Sequence, residues 1–268
     1  MPIRPVPAKA AIYNARLNRA GAIVAETRTL LRAWNVDESV ACNEKRLKRE
    51  NALGTVSGAR FGNIWSAFEA RYLRSDLESE AGSVPALVQL QGAGWPSATL
   101  VRLFWWHIAR AEPLLRAVFL DHLVCLRSAG VNNLTPSMAA SAVREQLRKT
   151  GEEWGTETIE RYSQAVLSTL RDLEILQGKG KKSWAPYFLP VEAFAFLAFA
   201  LHLEVPSGAG LLSHPDWELF FLTVHDVEAL FVEAHTRHLL EYHAAGSIVR
   251  LSFPSSNLSN YAMVLAAS

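Results

Sequence analysis

Apolar residues recur along this chain at steps of three and four rather than two, so most of it reads as amphipathic helix. From Tyr13 to Trp34 the positions Tyr13, Leu17, Ala20, Val24, Thr27, Leu31 and Trp34 make one long stripe, with Arg16, Arg19, Arg28 and Arg32 off it. Asp37 to Asn51 predicts a second helix, in which Val40 and Leu47 point one way while Lys45, Arg46, Lys48 and Arg49 occupy the opposite arc. Gly54 to Ser57 breaks that helix. Ser57 can cap the next, which turns Phe61, Ile64, Trp65, Phe68 and Tyr72 inward and leaves Arg60, Arg71 and Arg74 outside. Residues 75 to 96 read as a linker with a short helix around Ala86 to Leu90. Ser97 to Arg110 and Glu112 to Ser128, divided by Pro113, form the apolar helical pair that knits the molecule together, with His107 and His122 as core residues.

The stretch from Thr135 to Trp184 has a distinct order. Thr135-Pro136 is an N-cap followed by proline at the first helical position, opening a helix through Lys149. The segment Gly151 to Gly155 turns into a second helix, with Thr156 as its N-cap and Glu157 and Glu160 in the first turn, where the helix dipole favours negative charge. Its inward stripe is Ile159, Tyr162, Val166, Leu170 and Leu173. Behind it, Gly178-Lys179-Gly180-Lys181-Lys182 puts three ammonium groups on a flexible tip. Helix, turn, helix and basic loop is how the recognition helix and wing of a winged helix-turn-helix look, and such a tip suits phosphate contact without reading sequence.

Further on, Pro190 to Leu203 is apolar all round and predicts a buried helix, followed by a breaker-rich loop from Val205 to Gly210. Asp216 to Leu222 is a short apolar element with Asp216 as its cap. Asp226 caps a helix through Arg237, and Leu239 to His243 and Ile248 to Phe253 read as a hairpin across Ala244 to Ser247. This is again a winged-helix order, but its second helix exposes Glu228 and Glu233, which would repel phosphates.

Charge sharpens the contrast between the two ends. Residues 1 to 74 hold thirteen Lys/Arg against six Asp/Glu, residues 75 to 184 hold twelve of each, and residues 185 to 268 hold two against eight. Near-neutral overall, the chain is basic at one end and acidic at the other, which suggests a surface for a polyanion and another facing elsewhere. The first ten residues, with three prolines and two basic residues, read as a disordered arm. Two cysteines without a CxxC spacing, and an N-terminus with no apolar signal core, point to a reducing cytoplasm. Apolar runs are interrupted by charge or too short to span a bilayer.

Candidate chemistry is sparse. The phosphate-cradling, dinucleotide-binding and serine-hydrolase motifs do not occur, so no catalytic residue and no cofactor is assigned. His235 and His238, three apart, could share a helical face, but without a neighbouring Cys or an HExxH pattern no metal site is assigned.

The opening YNARLNRAGAIVAETRTLLRAW, the SGARFGNIWSAFEARYL helix, the ETIERYSQAVLSTLRDLEIL segment before its basic loop, and the late DWELF with the Gly246 hairpin together resemble the BrxA family of bacterial BREX phage-defence systems. The likeness runs from Tyr13 to Ala266. It implies a mostly helical, NusB-like protein with helix-turn-helix-like units that is not an enzyme and binds DNA. It also implies partnership with the methyltransferase and ATPase of the system.

The expectation is therefore a mainly α fold, a helical bundle with helix-turn-helix or winged-helix-like units and a short C-terminal β-hairpin. The arm occupies residues 1–10, an N-terminal helical domain 11–128, a helix-turn-helix-like unit with its basic loop 129–203, and a winged-helix-like unit 204–268. Double-stranded DNA is the expected partner, with no membrane and no small-molecule substrate. The expected phosphate contacts, taken from charge alone, are Lys45, Arg46, Lys48, Arg49, Arg60, Arg161, Lys179, Lys181 and Lys182. Two other roles stay open, a protein adaptor for other defence components and an RNA-binding protein in the manner of NusB.

Overall fold

The computed structural model describes residues 13–54, 56–73, 82–246 and 248–267. The expected arm at 1–10, and the start of the expected linker, residues 75–81, lie outside them. The described chain is mainly helical, with two small antiparallel sheets.

The long helix expected from Tyr13 to Trp34 is two helices, α1 (Leu17–Ala20) and α2 (Val24–Arg32). Gly21 (φ 63°) and Ile23 (φ 47°) turn left-handed between them. Glycine accepts this freely, whereas a β-branched residue there costs about 1–2 kcal/mol. The stripe survives the break, because Leu17, Ala20, Leu31 and Trp34 all reach the core. Ser39 caps α3 (Val40–Arg49) and Ser57 caps α4 (Gly58–Phe68), each side chain accepting from the amide three residues on. α4 widens into a π-helical turn at Glu69–Leu73, which buries Arg71, Tyr72 and Leu73 in succession.

The central layer is α5 (Val84–Gly92), α6 (Ser97–Ala111) and α7 (Pro113–Val118), the last running through a π-helical turn at Phe119–Leu123 into α8 (Val124–Ser128). α6 is buried from Thr99 to Ala109, as its nearly unbroken apolar run demands. Next come β1 (Asn133–Leu134), α9 (Pro136–Thr150), α10 (Thr156–Asp172), β2 (Leu176–Gln177) and β3 (Lys182–Trp184). β3 is the middle strand of the first sheet, antiparallel to both neighbours, with Leu134 opposite Lys182 and Leu176 opposite Trp184.

α11 (Val191–Glu204) is buried through its middle, as expected. α12 (Gly208–Leu212), a 3₁₀ turn (Pro215–Phe220), α13 (Val224–Thr236) and the hairpin β4 (Glu241–Ala245) and β5 (Ile248–Ser252) follow. The closing α14 (Leu258–Ala267), which the sequence reading left out, packs against α5 and α11 and so returns the chain to its first half. The buried apolar residues form one cluster running from Leu17 to Leu265. Among the described residues no helix is long and apolar enough to cross a membrane.

Three expected caps are corrected. Gly155 rather than Thr156 precedes α10. Thr223 caps α13, with Asp226 completing a reciprocal capping box from the third helical position. Asp216 is not a cap at all. The His214 ring nitrogen accepts from its amide, while the Asp216 carboxylate, 4 % exposed, takes Trp106 Nε1 at 2.7 Å, Arg110 at 3.1 Å and Arg116 at 2.7 Å. Nor do His235 and His238 share a helical face, since α13 ends at Thr236 and His238 lies beyond it at φ 59°.

Candidate nucleic-acid interface

The helix pair is built as its caps require. Thr135 Oγ1 accepts from Met138 N, Pro136 stands at the first turn, and α9 closes on Gly151 in the left-handed conformation (φ 72°). α10 then buries Ile159, Tyr162, Ser163, Val166, Leu167 and Leu170 and leaves Glu157, Glu160, Arg161 and Gln164 in solvent. Arg161 does not stand free on that face, because its guanidinium meets Glu157 at 2.6 Å. Arg171 is likewise tied to Asp172 at 2.6 Å. The exposed face of α10 thus has its cations matched by acids of the same helix.

Beyond α10 the chain reverses at Glu174 (φ 59°) and enters the hairpin of β2 and β3. Its base is clamped from the central layer. Arg102 of α6 donates to Leu173 O at 3.2 Å and Phe188 O at 3.1 Å and lies 4.1 Å over the Tyr187 ring. Trp184 Nε1 donates to Val131 O at 2.9 Å, which ties β3 to the segment before β1. The tip is Gly178 to Lys181. Gly178 adopts φ 94°, and any Cβ there would stand 2.1 Å from Lys181 O, so this position requires glycine.

The nine expected contacts separate into three groups. Lys45, Lys48, Lys179 and Lys181 are exposed and have no ion-pair partner among the described residues. Arg49, Arg60 and Arg161 sit at the surface but engaged: Arg49 with Glu50 at 3.2 Å, Arg60 with Glu26 at 3.2 Å and Arg19 O at 2.8 Å, and Arg161 with Glu157. Arg46 and Lys182 are built into the fold. Arg46 joins Glu38 at 2.8 Å, Ala33 O at 3.0 Å and Asn43 Oδ1 at 2.7 Å, and its guanidinium holds the Glu38 carboxyl below the usual carboxylate range. Lys182 is 7 % exposed, and its ammonium donates to the carbonyls of Gly178 and Lys179.

Lys179 and Lys181 come together on one tip, and Lys45 and Lys48 on one helix. No hydrogen bond or ion pair among the described residues joins α3 to α9, α10 or the hairpin. The N-terminal segment does reach the helix pair elsewhere, since Tyr13 N donates to Glu152 at 3.1 Å and α1 packs on α10. Two exposed cations of the helix pair are absent from the expected set. Arg144 and Arg148 of α9 are exposed and without an ion-pair partner among the described residues, and Arg144 lines a groove of about 280 Å³ with Ser137, Glu160 and Gln164. Their spacing of four, which puts both on one helical face beside the Ala139, Val143 and Leu147 stripe, is the signal in the sequence.

No curated protein and no solved structure matches this chain. The family model described as BrxA matches residues 11–200. The match takes in the N-terminal helices, the helix pair, the basic hairpin and most of α11, and stops short of the C-terminal hairpin that entered the sequence-based resemblance. The chain belongs to the BrxA family.

Proposed function

We propose that this protein is a non-enzymatic DNA-binding accessory component of a BREX-type phage-resistance system and holds duplex DNA mainly through its phosphates. The order α8, β1, α9, α10, β2, basic tip, β3, with β3 between the other two strands, is that of a winged helix. In this reading α10 is the helix offered to the groove and Gly178 to Lys181 is the wing. The observation that carries the proposal is the free pair Lys179 and Lys181 on a tip whose base is clamped to the core. Arg144 and Arg148 add two exposed cations on α9, the other helix of the pair. The near-neutral face of α10 supports positioning over base readout, because its arginine is already spoken for by Glu157.

A mobility-shift titration with a duplex of random sequence tests the proposal. Affinity should fall steeply as salt rises, and a Lys179→Glu, Lys181→Glu variant should bind at least tenfold more weakly while keeping its helical signature. No shift at micromolar protein and low salt, or a shift insensitive to salt, defeats it. Competition with single-stranded RNA separates the NusB-like alternative.

A protein-docking role has its own support in the C-terminal hairpin. Ile248 is 72 % exposed at the turn end of the hairpin, and Glu228, Glu233 and Glu241 are exposed on the same C-terminal stretch, a surface unsuited to phosphate. An adaptor holding DNA by one unit and the methyltransferase or ATPase of the system by the other is compatible with both observations. Pull-down of such a partner that survives nuclease, and is lost when the exposed hairpin residues are changed, tests it.

A further inference from the structure

We infer that Lys182 is the positioning residue of the basic tip: it orders the loop so that Lys179 and Lys181 meet phosphates in place, and touches no phosphate itself. The inference deepens the duplex-binding reading and rests on it. Strand register decides where Lys182 faces. It pairs with Leu134, and Trp184, two residues on, pairs with Leu176. Residues i and i+2 of a strand share a face, and cross-strand partners share it too, so Lys182 stands on the side where Leu134 and Leu176 are each 2 % exposed. A lysine there lays its stem along apolar surface and must bring its ammonium out to polar atoms. The atoms it finds are the carbonyls of Gly178, at 2.9 Å, and Lys179.

Those two carbonyls begin the tip, so one buried cation bridges the loop across its base. Gly178 closes the other side by its approach to the Lys181 carbonyl. A loop of two glycines and two lysines would otherwise lose much backbone and side-chain freedom on meeting DNA, and a loop ordered beforehand loses less. The charge of Lys182 is thus used inside the protein, whereas those of Lys179 and Lys181 are left for the ligand.

The test compares the full chain with Lys182→Met, Lys182→Arg and the double variant Lys179→Met, Lys181→Met. Two quantities are read: backbone amide order parameters at Gly178 to Lys181 in the free protein, and the affinity and salt slope for duplex DNA. Lys182→Met should lower the tip order parameters from about 0.85 to below about 0.6. It should also weaken binding several-fold with the salt slope unchanged. Lys182→Arg, which keeps a cationic donor, should recover the order. The double variant should keep the tip ordered and reduce the slope by about two, one for each lost phosphate contact. If Lys182→Met reduces the slope by about one while the tip stays ordered, Lys182 is a phosphate contact and the inference fails. It fails equally if that variant matches the parent in both order and affinity. If the parent protein binds no duplex, the DNA reading falls and the role in positioning contacts falls with it, and the order parameters then report solely whether Lys182 holds the loop.

Discussion

Arg71 and Glu112 meet at 3.0 Å with their side chains 0 % and 1 % exposed, and this ion pair joins the π-helical turn after α4 to the start of α7. Arg16 approaches the same carboxylate oxygen at 3.5 Å. Burying two charges is costly, so the pair adds little net stability, but removing one partner strands the other. Glu112→Ala should therefore destabilise the fold by about 3–5 kcal/mol in urea titration, whereas the double change Arg71→Met, Glu112→Leu should recover most of that loss. A single variant within about 1 kcal/mol of the parent would contradict this account.

His107 sets a pH dependence. Burial first, and the nearby Arg110 charge second, push its pKa down to about 3, so the folded protein keeps it neutral while the unfolded chain protonates it near its ordinary value of 6.5. A depressed histidine favours the fold above the unfolded pKa. Stability should fall by about 1.4 kcal/mol for each pH unit below about 6.5 from this group alone. His202 and His214, also lowered chiefly by burial, act in the same direction. Denaturation midpoints measured from pH 7 down to pH 5 should decline less steeply in His107→Leu than in the parent.

On the DNA side, the pairing of Arg161 with Glu157 predicts a gain. Glu157→Gln removes one negative charge from the exposed face of α10 and releases the guanidinium, so duplex affinity should rise about three- to tenfold at low salt. The gain should shrink as salt screens it. Unchanged affinity would mean that α10 lies away from the duplex.

The last helix makes a folding prediction. α14 lays Leu258, Tyr261, Ala262 and Leu265 against the central helices, where Val84, Leu87 and Leu90 of α5 are fully buried. Ending the chain at residue 257 would expose both sets. At about 2 kcal/mol for each large apolar side chain returned to water, the loss is comparable to a whole domain's stability. A chain so shortened should bind a hydrophobic dye and lose its cooperative melt.

Much of the helical plan could be read in the residues because its signals are local. Thr135 with Pro136, Ser57, and the stripe from Ile159 to Leu173 each declare an element within a few positions of themselves. The all-apolar run of α11 announced its own burial. What escaped depends on contacts distant in sequence. β1 is two residues long and is a strand because β3 lies beside it. Asp216 reads as a cap from its neighbours in sequence, whereas its carboxylate is held by Trp106, Arg110 and Arg116, a hundred residues earlier. α14 has no polar face of its own to mark a period. Among the expected phosphate contacts, charge alone could not distinguish Lys179 and Lys181 from Lys182, since the difference is that Lys182 begins β3 on its buried face while the other two lie on the tip outside the strands.

The interruption between α1 and α2 ties helix geometry to internal charge. Left unwound beside Gly21, the carbonyl of Ala22 accepts from Arg71 at 3.3 Å, inside the same buried group as Glu112. In an unbroken helix that oxygen would be claimed by the amide four residues on, and the guanidinium would lose an acceptor it has no water to replace. Straightening this segment to improve its helical propensity, as by Gly21→Ala, would thus set a local gain against an unmet donor in the interior. The two features can be inherited or redesigned together, but not one at a time.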